Sequence, residues 1–238
     1  MTQPDSNELF RFLNAAYRSY QQHIQSHMHT PLVYFSIEIA DKFHKILTRQ
    51  VSGNPAPSIL MSSGFFTWNS AIQLSFSGQF FPIPPLCRAV IETALYAHLI
   101  AQSDENFSRW SNPPKDHKKK ITAKEGIRSL KKQGISFADE LEREYEEFIA
   151  FGAHPNRKGI SRQLSMEENN KGLETELVGI QHPSGKTMMP ITMAINSGIR
   201  ASHIYAITTN DETLAKWSDD IRNRLLKFLN DTFYFNKK

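Results

Sequence analysis

The sequence predicts a mostly α protein: a single helical bundle of seven or more helices with a small β-hairpin or long-loop insertion near residues 160–187. Three observations predict it. Apolar residues recur at intervals of three and four over most of the chain, which is the period of an amphipathic helix. That period breaks once, where residues 173–180 partly alternate before a Pro-Ser-Gly turn signal at 183–185. No internal repeat or low-complexity linker divides the chain.

The first three helices follow from their caps and their apolar spacing. Asp5 or Ser6 is available to cap the first helix, and Thr30-Pro31 begins the second, with threonine as cap and proline in the first turn. The second helix is expected to end before residue 52, and an aromatic-rich third helix covers about residues 57–80. The apolar stripe of the first helix consists of Leu9, Phe10, Leu13, Ala16, Tyr17 and Tyr20.

The remaining helices have similar signals. Pro84-Pro85 opens the fourth helix, and a short one follows near residues 104–110. Thr122-x-x-Glu125 is a capping-box signature for the next helix, which Gly134 closes. Another helix covers about residues 137–151 and is expected to stop at Gly152. The final two helices cover residues 190–209 and about 211–234.

These elements are expected to form one domain with four parts. Residues 1–55 contribute N-terminal helices that pack on the core, and residues 56–158 form the core around the fourth helix. Residues 159–189 are the hairpin or loop insertion, and residues 190–238 supply the C-terminal helices. A chain of 238 residues is long enough to bury such a core.

Composition excludes several classes of protein. The single cysteine, Cys87, rules out an intramolecular disulfide and a cysteine-rich zinc site. The N-terminus lacks the pattern of a secretory signal, and no run of about 18 apolar residues is present to span a membrane. We therefore expect a cytoplasmic protein without a membrane partner. The net charge of +4 permits binding to nucleic acid but does not require it.

The most informative residues are two charges in the apolar fourth helix, residues 84–100. Arg88 and Glu92 lie one turn apart and emerge from one face, which Tyr96 extends by another turn. If both are largely buried, Arg88→Ala strands Glu92 and costs on the order of 3 kcal/mol. The pair either fixes helix packing or serves a site, since arginine can grip a carboxylate or a phosphate at two points.

His154 is a second candidate because it directly follows the helix over residues 137–151. At a helix C-terminus a protonated histidine gains from the helix dipole, which is a structural explanation. A general acid or base near neutral pH is the functional one. We take His154, Arg88 and Glu92 as candidate catalytic residues. The candidate ligand-binding residues are Tyr96, Tyr145 and Asn156.

These positions carry a family resemblance. The Arg88-x-x-x-Glu92-x-x-x-Tyr96 pattern, Trp110 and the Tyr145-x8-His154-Pro sequence resemble uncharacterised all-helical bacterial proteins. That family is similar in appearance to HEPN-like domains and abortive-infection proteins, and the resemblance covers roughly residues 60–160. It implies binding or cleavage of RNA, or sensing of a nucleotide-like ligand, in stress or defence. HEPN nucleases are metal-independent ribonucleases.

One motif of the HEPN nucleases is missing near His154 in this sequence. HEPN nucleases carry an arginine four to six residues before the histidine on one helix, and the nearest upstream arginine to His154 is Arg143, eleven residues away. Arg18 and His23 match the spacing in the first helix, but so short a pattern arises often by chance, and both are expected in water.

No metal and no cofactor is expected. His23 and His27 lie one turn apart near His29, but they lack the glutamate of a zincin and any nearby cysteine. RNA or another phosphate-bearing ligand is the expected partner, and a homodimer is an assembly that the sequence allows. Two alternatives remain open: a structural or interaction protein in which Arg88 and Glu92 are only a packing ion pair, and a small-molecule enzyme with His154 as base.

Overall fold

The computed structural model describes residues 6–28, 30–48, 54–116, 119–153, 164–169, 172–177 and 188–234. Over these residues the protein is mostly α-helical, as the sequence predicts. The helices are α1 (Ser6–His27), α2 (Pro31–Leu47), α3 (Ala56–Phe76), α4 (Ile83–Gln102), α5 (Asp104–Ser111), α6 (Ala123–Lys132), α7 (Ala138–Phe148), α8 (Met188–Thr208) and α9 (Glu212–Tyr234). A π-helical turn covers Ile149–Ala153, and two strands are β1 (Leu164–Asn169) and β2 (Gly172–Leu177).

The centre of the bundle is α4, which packs between α3 and α8, with α2 and α9 against α8. One hydrophobic core runs from α2 to α9 through these helices. Trp68 of α3 is buried in it and donates its indole N–H to the Ala194 carbonyl of α8 at 2.9 Å. The indole fits only because residue 198 of α8 is glycine: a Cβ there would lie 2.4 Å from Trp68 Nε1.

Several helices begin or end at capping residues or glycines that can be recognised in the sequence. Thr122 accepts the N–H of Glu125 at the start of α6, and Gly134 closes that helix with φ 72°. Asp211 caps α9 by accepting the N–H of Leu214 at 2.9 Å. The third helix ends at Phe76 rather than Phe80, because Gly78 takes φ 73° and Gln79 N–H then donates to the Leu74 carbonyl.

Two other predicted elements differ in detail. The helix predicted over residues 137–151 is α-helical to Phe148 and then continues as the π turn to Ala153. The hairpin pairs Leu164 with Leu177 and Asn169 with Gly172, so residues 170–171 connect the strands. The strands therefore meet upstream of the turn signal at 183–185, and their facing ends are Asn169 and Gly172. Residues 183–185 lie outside the described residues.

The N-terminal helix faces the bundle with its polar side. Ser19 and His23 of α1 are buried, whereas the aromatic stripe that the sequence marks out is exposed. His23 Nδ1 donates to the Ser19 carbonyl at 2.9 Å, and its ring meets Phe80 edge-on at 6.1 Å. The prediction that His23 lies in water is therefore wrong, because α1 packs on the bundle through that face.

Over the described ranges, no helix combines the length and apolar character needed to cross a membrane.

Candidate functional site

Arg88 and Glu92 form the ion pair that their spacing on α4 predicts. Arg88 Nε lies 2.8 Å from Glu92 Oε1. Their side chains are 31% and 22% exposed, so the prediction of a largely buried pair is only partly right. The reason is position: the core-facing side of α4 is taken by Cys87, Val90 and Ile91, and the charged pair lies at its edge.

Tyr145 of α7 joins this pair. Its hydroxyl donates to Glu92 Oε1 at 2.5 Å, and the Arg88 guanidinium lies 5.7 Å from the centre of its ring. Burial and the Glu92 carboxylate both raise the pKa of Tyr145, so the phenol stays protonated as a donor. Burial would lower the pKa of Arg88, but the hydrogen bond and charge of Glu92 together with Tyr145 outweigh burial and raise that pKa.

The charges of Glu92 and Arg88 also act on Tyr96. Burial raises its pKa first, and the Glu92 carboxylate raises it further against the opposing effect of Arg88. Four of the six predicted site residues, Arg88, Glu92, Tyr96 and Tyr145, are thus gathered between α4 and α7. His154 and Asn156 lie outside the described residues, so their place in a shared site stays a prediction.

A second charged cluster, more deeply buried than the Arg88–Glu92 pair, lies between α7, α8 and α9. It was not predicted from the sequence. Arg200 of α8 has a side chain that is 1% exposed. Its Nε and Nη2 donate to the two carboxylate oxygens of Glu144 at 3.0 and 2.8 Å, and Nη2 also lies 2.7 Å from Glu140 Oε2. Its guanidinium stacks 5.1 Å from the centre of the Phe137 ring. Arg222 of α9 binds the other oxygen of Glu140.

The charges of this cluster reinforce one another. Burial would lower the pKa of Arg200, but Glu144 and Glu140 raise it further than burial lowers it. Burial raises the pKa of Glu140, but Arg200 and then Arg222 bring it below its ordinary value. Burial also lowers the pKa of the neighbouring His203, which Asp219 opposes. The cluster therefore holds the Glu140 carboxylate and the Arg200 guanidinium ionised around neutral pH.

The sequence does contain a signal for this cluster. Arg200 lies in an apolar helix, as Arg88 does, and Glu140 and Glu144 are one turn apart on the face of α7 that carries Leu141 and Phe148 toward the core. What the sequence does not show is that these two helices are neighbours, because 56 residues separate Glu144 from Arg200.

Beside the cluster, α7, α8 and α9 line a half-open pocket of about 740 Å³. Each helix contributes one face at helical spacing. The lining residues are Glu140, Glu144, Glu147, Phe148, Met189, Thr192, Met193, Asn196, Arg222, Leu225, Leu226 and Leu229. By their order along the helices, Glu140, Asn196 and Arg222 mark a polar end next to Arg200. Phe148, Met189 and Leu229 mark an apolar end.

Two polar atoms of this lining are buried without a hydrogen-bond partner in the described structure: Thr192 Oγ1 and Arg222 Nε. A third, Arg200 Nη1, belongs to the charged cluster, in which Arg200 and Arg222 share Glu140. Buried donors without partners are rare in proteins and each costs stability. Thr192 Oγ1 and Arg222 Nε each expose less than 1 Å² to water, so a ligand in the pocket reaches them only if the side chains around them move.

A polar network at the other end of α8 surrounds His98 of α4. The side-chain amides of Gln102 and Gln133 donate to His98 Nε2 at 2.7 and 3.2 Å, so Nδ1 carries the proton and donates to Thr208 Oγ1 at 3.2 Å. Burial lowers the pKa of His98 to about 4. The ring is neutral at pH 7 and joins α4, α6 and α8.

Within the parts of the chain that the structure describes, no three histidine, cysteine, aspartate or glutamate side chains are placed to hold a metal ion.

Comparison with protein-family models, with curated proteins and with solved structures finds no significant match to this chain. The HEPN-like resemblance therefore stays a prediction.

Proposed function

We propose that this protein binds a small amphipathic molecule in the pocket between α7, α8 and α9. The observation that carries the proposal is the pocket itself: a half-open, ligand-sized space between three helices with mainly apolar walls. A pocket of this size with a few convergent polar groups is the usual form of a small-molecule site.

The lining defines the chemistry of the ligand. Phe148, Met193 and Leu225 offer an apolar surface, and methionine adapts its shape to different ligands. If the lining shifts to uncover them, Thr192 Oγ1 and Arg222 Nε can each donate to an acceptor such as a carbonyl or a hydroxyl oxygen.

The charged residues of the pocket lining narrow the class of ligand further. Glu140 and Glu144 are already paired with Arg200 and Arg222, so most of the negative charge along the lining is neutralised. A neutral or zwitterionic molecule therefore fits best.

Nile red is a suitable probe because it is neutral, largely apolar and carries a carbonyl acceptor. We expect saturable binding with a rise in its fluorescence. Met193→Trp fills the pocket and should weaken binding more than tenfold, a factor equivalent to about 1.4 kcal/mol. The matched control is Ile59→Trp on α3, where the side chain is exposed and outside the pocket.

Thr192→Val separates a binding role from a structural one. Removing a buried hydroxyl that has no partner should leave the stability of the free protein unchanged or slightly higher. The same change should weaken Nile red binding, because a donor to its carbonyl is lost. Nile red binding that Met193→Trp leaves unchanged would contradict the proposal.

The Arg88–Glu92–Tyr145 cluster supports a second proposal, that these residues act in packing. Glu92 Oε1 already accepts from both Arg88 and Tyr145. Each group thus has its partner inside the protein, and the three together tie α4 to α7. This is the alternative in which the ion pair specifies the structure. A double-mutant cycle between Arg88 and Tyr145 tests it.

RNA or nucleotide binding in stress or defence stays a proposal that rests on the resemblance and on His154. Cleavage of RNA by the wild-type protein in EDTA, lost in His154→Ala, would support it. Equal inactivity of both proteins would remove the nuclease hypothesis. A cytoplasmic location likewise rests on the single cysteine of the sequence.

A further inference from the structure

The N-terminal helix α1 turns its apolar stripe away from its own bundle. Phe10, Leu13 and Tyr17 are 64%, 51% and 61% exposed, and Tyr20 is 37% exposed. Every residue from Phe10 to Ala15 is exposed, so this half of the helix extends beyond the helices on which its other half packs. A helical segment of this length has little stability unless one face is packed.

The face that α1 turns inward is the polar one. Ser19 and His23 are buried against the bundle, and Ala16 is partly buried. An amphipathic helix of a monomeric protein places its apolar stripe toward the core and its polar face toward water. In α1 the arrangement is reversed, which indicates that the apolar stripe is covered by something other than its own bundle.

The spacing of the exposed stripe indicates that its partner is another helix. Phe10, Leu13, Tyr17 and Tyr20 alternate in steps of three and four, which is the seam of a coiled coil. We propose that α1 pairs with α1 of a second copy of this chain along this seam. The next residue in the series, Ile24, packs against the core of its own chain, so the seam ends at Tyr20.

The residues beside the seam suit pairing between identical helices. The exposed positions next to it, Asn14 and Gln21, carry carboxamides, which can both donate to and accept from the same residues in another copy. Gln21 already donates to the Tyr17 hydroxyl at 2.8 Å. The charged Arg11 and Arg18 fall outside the seam, so a like copy meets no like-charge repulsion within it.

The area is of the right order for a dimer. With about 150–250 Å² for a fully buried aromatic side chain, the four seam residues expose on the order of 400 Å² per copy. A standard interface buries about 800 Å² per partner, with an apolar core and a polar rim. The seam supplies the core of such an interface, and the flanking amides supply part of the rim.

A lipid surface fits the seam less well. Helices that lie on membranes have a polar face rich in lysine and arginine. Over residues 10–27, α1 carries only two basic residues, Arg11 and Arg18, and its remaining polar positions are mainly amides and serines.

Light scattering over a concentration series from about 1 to 100 µM measures the assembly directly, because dimer formation follows mass action. We expect the full chain to reach the mass of two copies. The double variant Leu13→Glu/Tyr17→Glu should raise the dissociation constant more than about 100-fold, since it would place two carboxylates in an apolar seam. The matched control, Ala15→Glu/Gln22→Glu, puts the same charges on exposed positions of α1 outside the seam and should remain a dimer.

Hydrogen exchange on the wild-type chain gives a second measurement without any substitution. Amides of residues 10–20 should become protected as the concentration rises through the dissociation constant. A chain that remains monomeric overturns the proposal, as does a dimer that both double variants preserve. Protection elsewhere without protection of α1 also overturns it. So does a monomer that sediments with phosphatidylcholine–phosphatidylglycerol vesicles, which would assign the stripe to a lipid surface.

Discussion

Arg200 of α8 and Glu144 of α7 form a two-point ion pair in the interior of the bundle. The Nε and Nη2 atoms of the arginine lie 3.0 and 2.8 Å from the two carboxylate oxygens. This planar match is specific to a guanidinium, because the single ammonium of lysine cannot make two parallel bonds. The pair joins the two helices that form two walls of the ligand pocket.

Replacing Arg200 by lysine should therefore be costly although the charge is kept. We expect Arg200→Lys to lower the free energy of unfolding by about 2 kcal/mol and Arg200→Ala by about 3 kcal/mol, measured by urea denaturation. The control is Arg224→Lys, on an exposed pair with Glu38, which should cost less than about 1 kcal/mol. Equal losses at the two positions would show that the interior pair has no special geometry.

The Arg88–Glu92 ion pair of α4 should contribute less to the free energy of unfolding than the sequence predicts. Arg88 and Glu92 are 31% and 22% exposed, so water can partly replace a lost partner. We expect Arg88→Ala and Tyr145→Phe each to cost about 1 kcal/mol, below the value of about 3 kcal/mol expected for a fully buried pair.

A double-mutant cycle of these two substitutions measures their coupling through Glu92. A coupling energy of at least about 0.5 kcal/mol is expected for residues that share one acceptor. Additive losses would remove the packing role proposed for the cluster.

Burial of His98 predicts a pH-dependent stability. Burial lowers the pKa of His98 from 6.5 to about 4, so between these values the unfolded chain binds a proton that the folded chain does not. The stabilisation is complete above pH 6.5 and is lost as the pH falls, at up to about 1.4 kcal/mol per pH unit. Unfolding in urea at pH 7, 6 and 5 tests this. His98→Gln should flatten the dependence, and an unchanged slope in that variant would contradict the account.

The close contact between Gly198 and Trp68 predicts a local effect of a single methyl group. An alanine Cβ would lie 2.4 Å from Trp68 Nε1, so the indole or α8 must shift. Gly198→Ala should cost about 1–3 kcal/mol despite the better helix propensity of alanine, and should change the tryptophan fluorescence.

The control for this substitution lies on the same helix. Ser202 is buried, and its hydroxyl is without a hydrogen-bond partner in the described structure. Ser202→Ala should therefore be neutral or slightly stabilising. A loss of stability in Ser202→Ala as large as that in Gly198→Ala would show that α8 tolerates no change at all, and that the Trp68 contact is not the cause.

Features formed by residues close together in the sequence could be predicted from it, whereas contacts between distant helices could not. The cap at Thr122, the glycine at 134 and the pairing of Arg88 with Glu92 each involve residues within a few positions of one another. Each of these interactions needs only residues of one helix or its ends. The mostly α class followed from the apolar period in the same way.

The missed features all depend on which helices become neighbours. The Arg200–Glu144 pair and the pocket beside it require α7, α8 and α9 to meet, which periodicity does not specify. The stripe of α1 was visible in the sequence, but a period identifies a face without showing what that face contacts. Only the burial of Ser19 and His23 reveals that the stripe faces away from the bundle.

Methionine methyl resonances test the ligand pocket most directly, because Met189 and Met193 line it whereas Met61 is buried in α3. In protein labelled with 13C at the methionine methyl groups, titration with Nile red should shift the Met189 and Met193 signals saturably and leave Met61 in place. Met28 is exposed just beyond α1 and reports binding to that helix instead. Shifts confined to Met28, or no saturable shift at Met189 and Met193, would contradict the proposal that the pocket between α7, α8 and α9 binds a ligand.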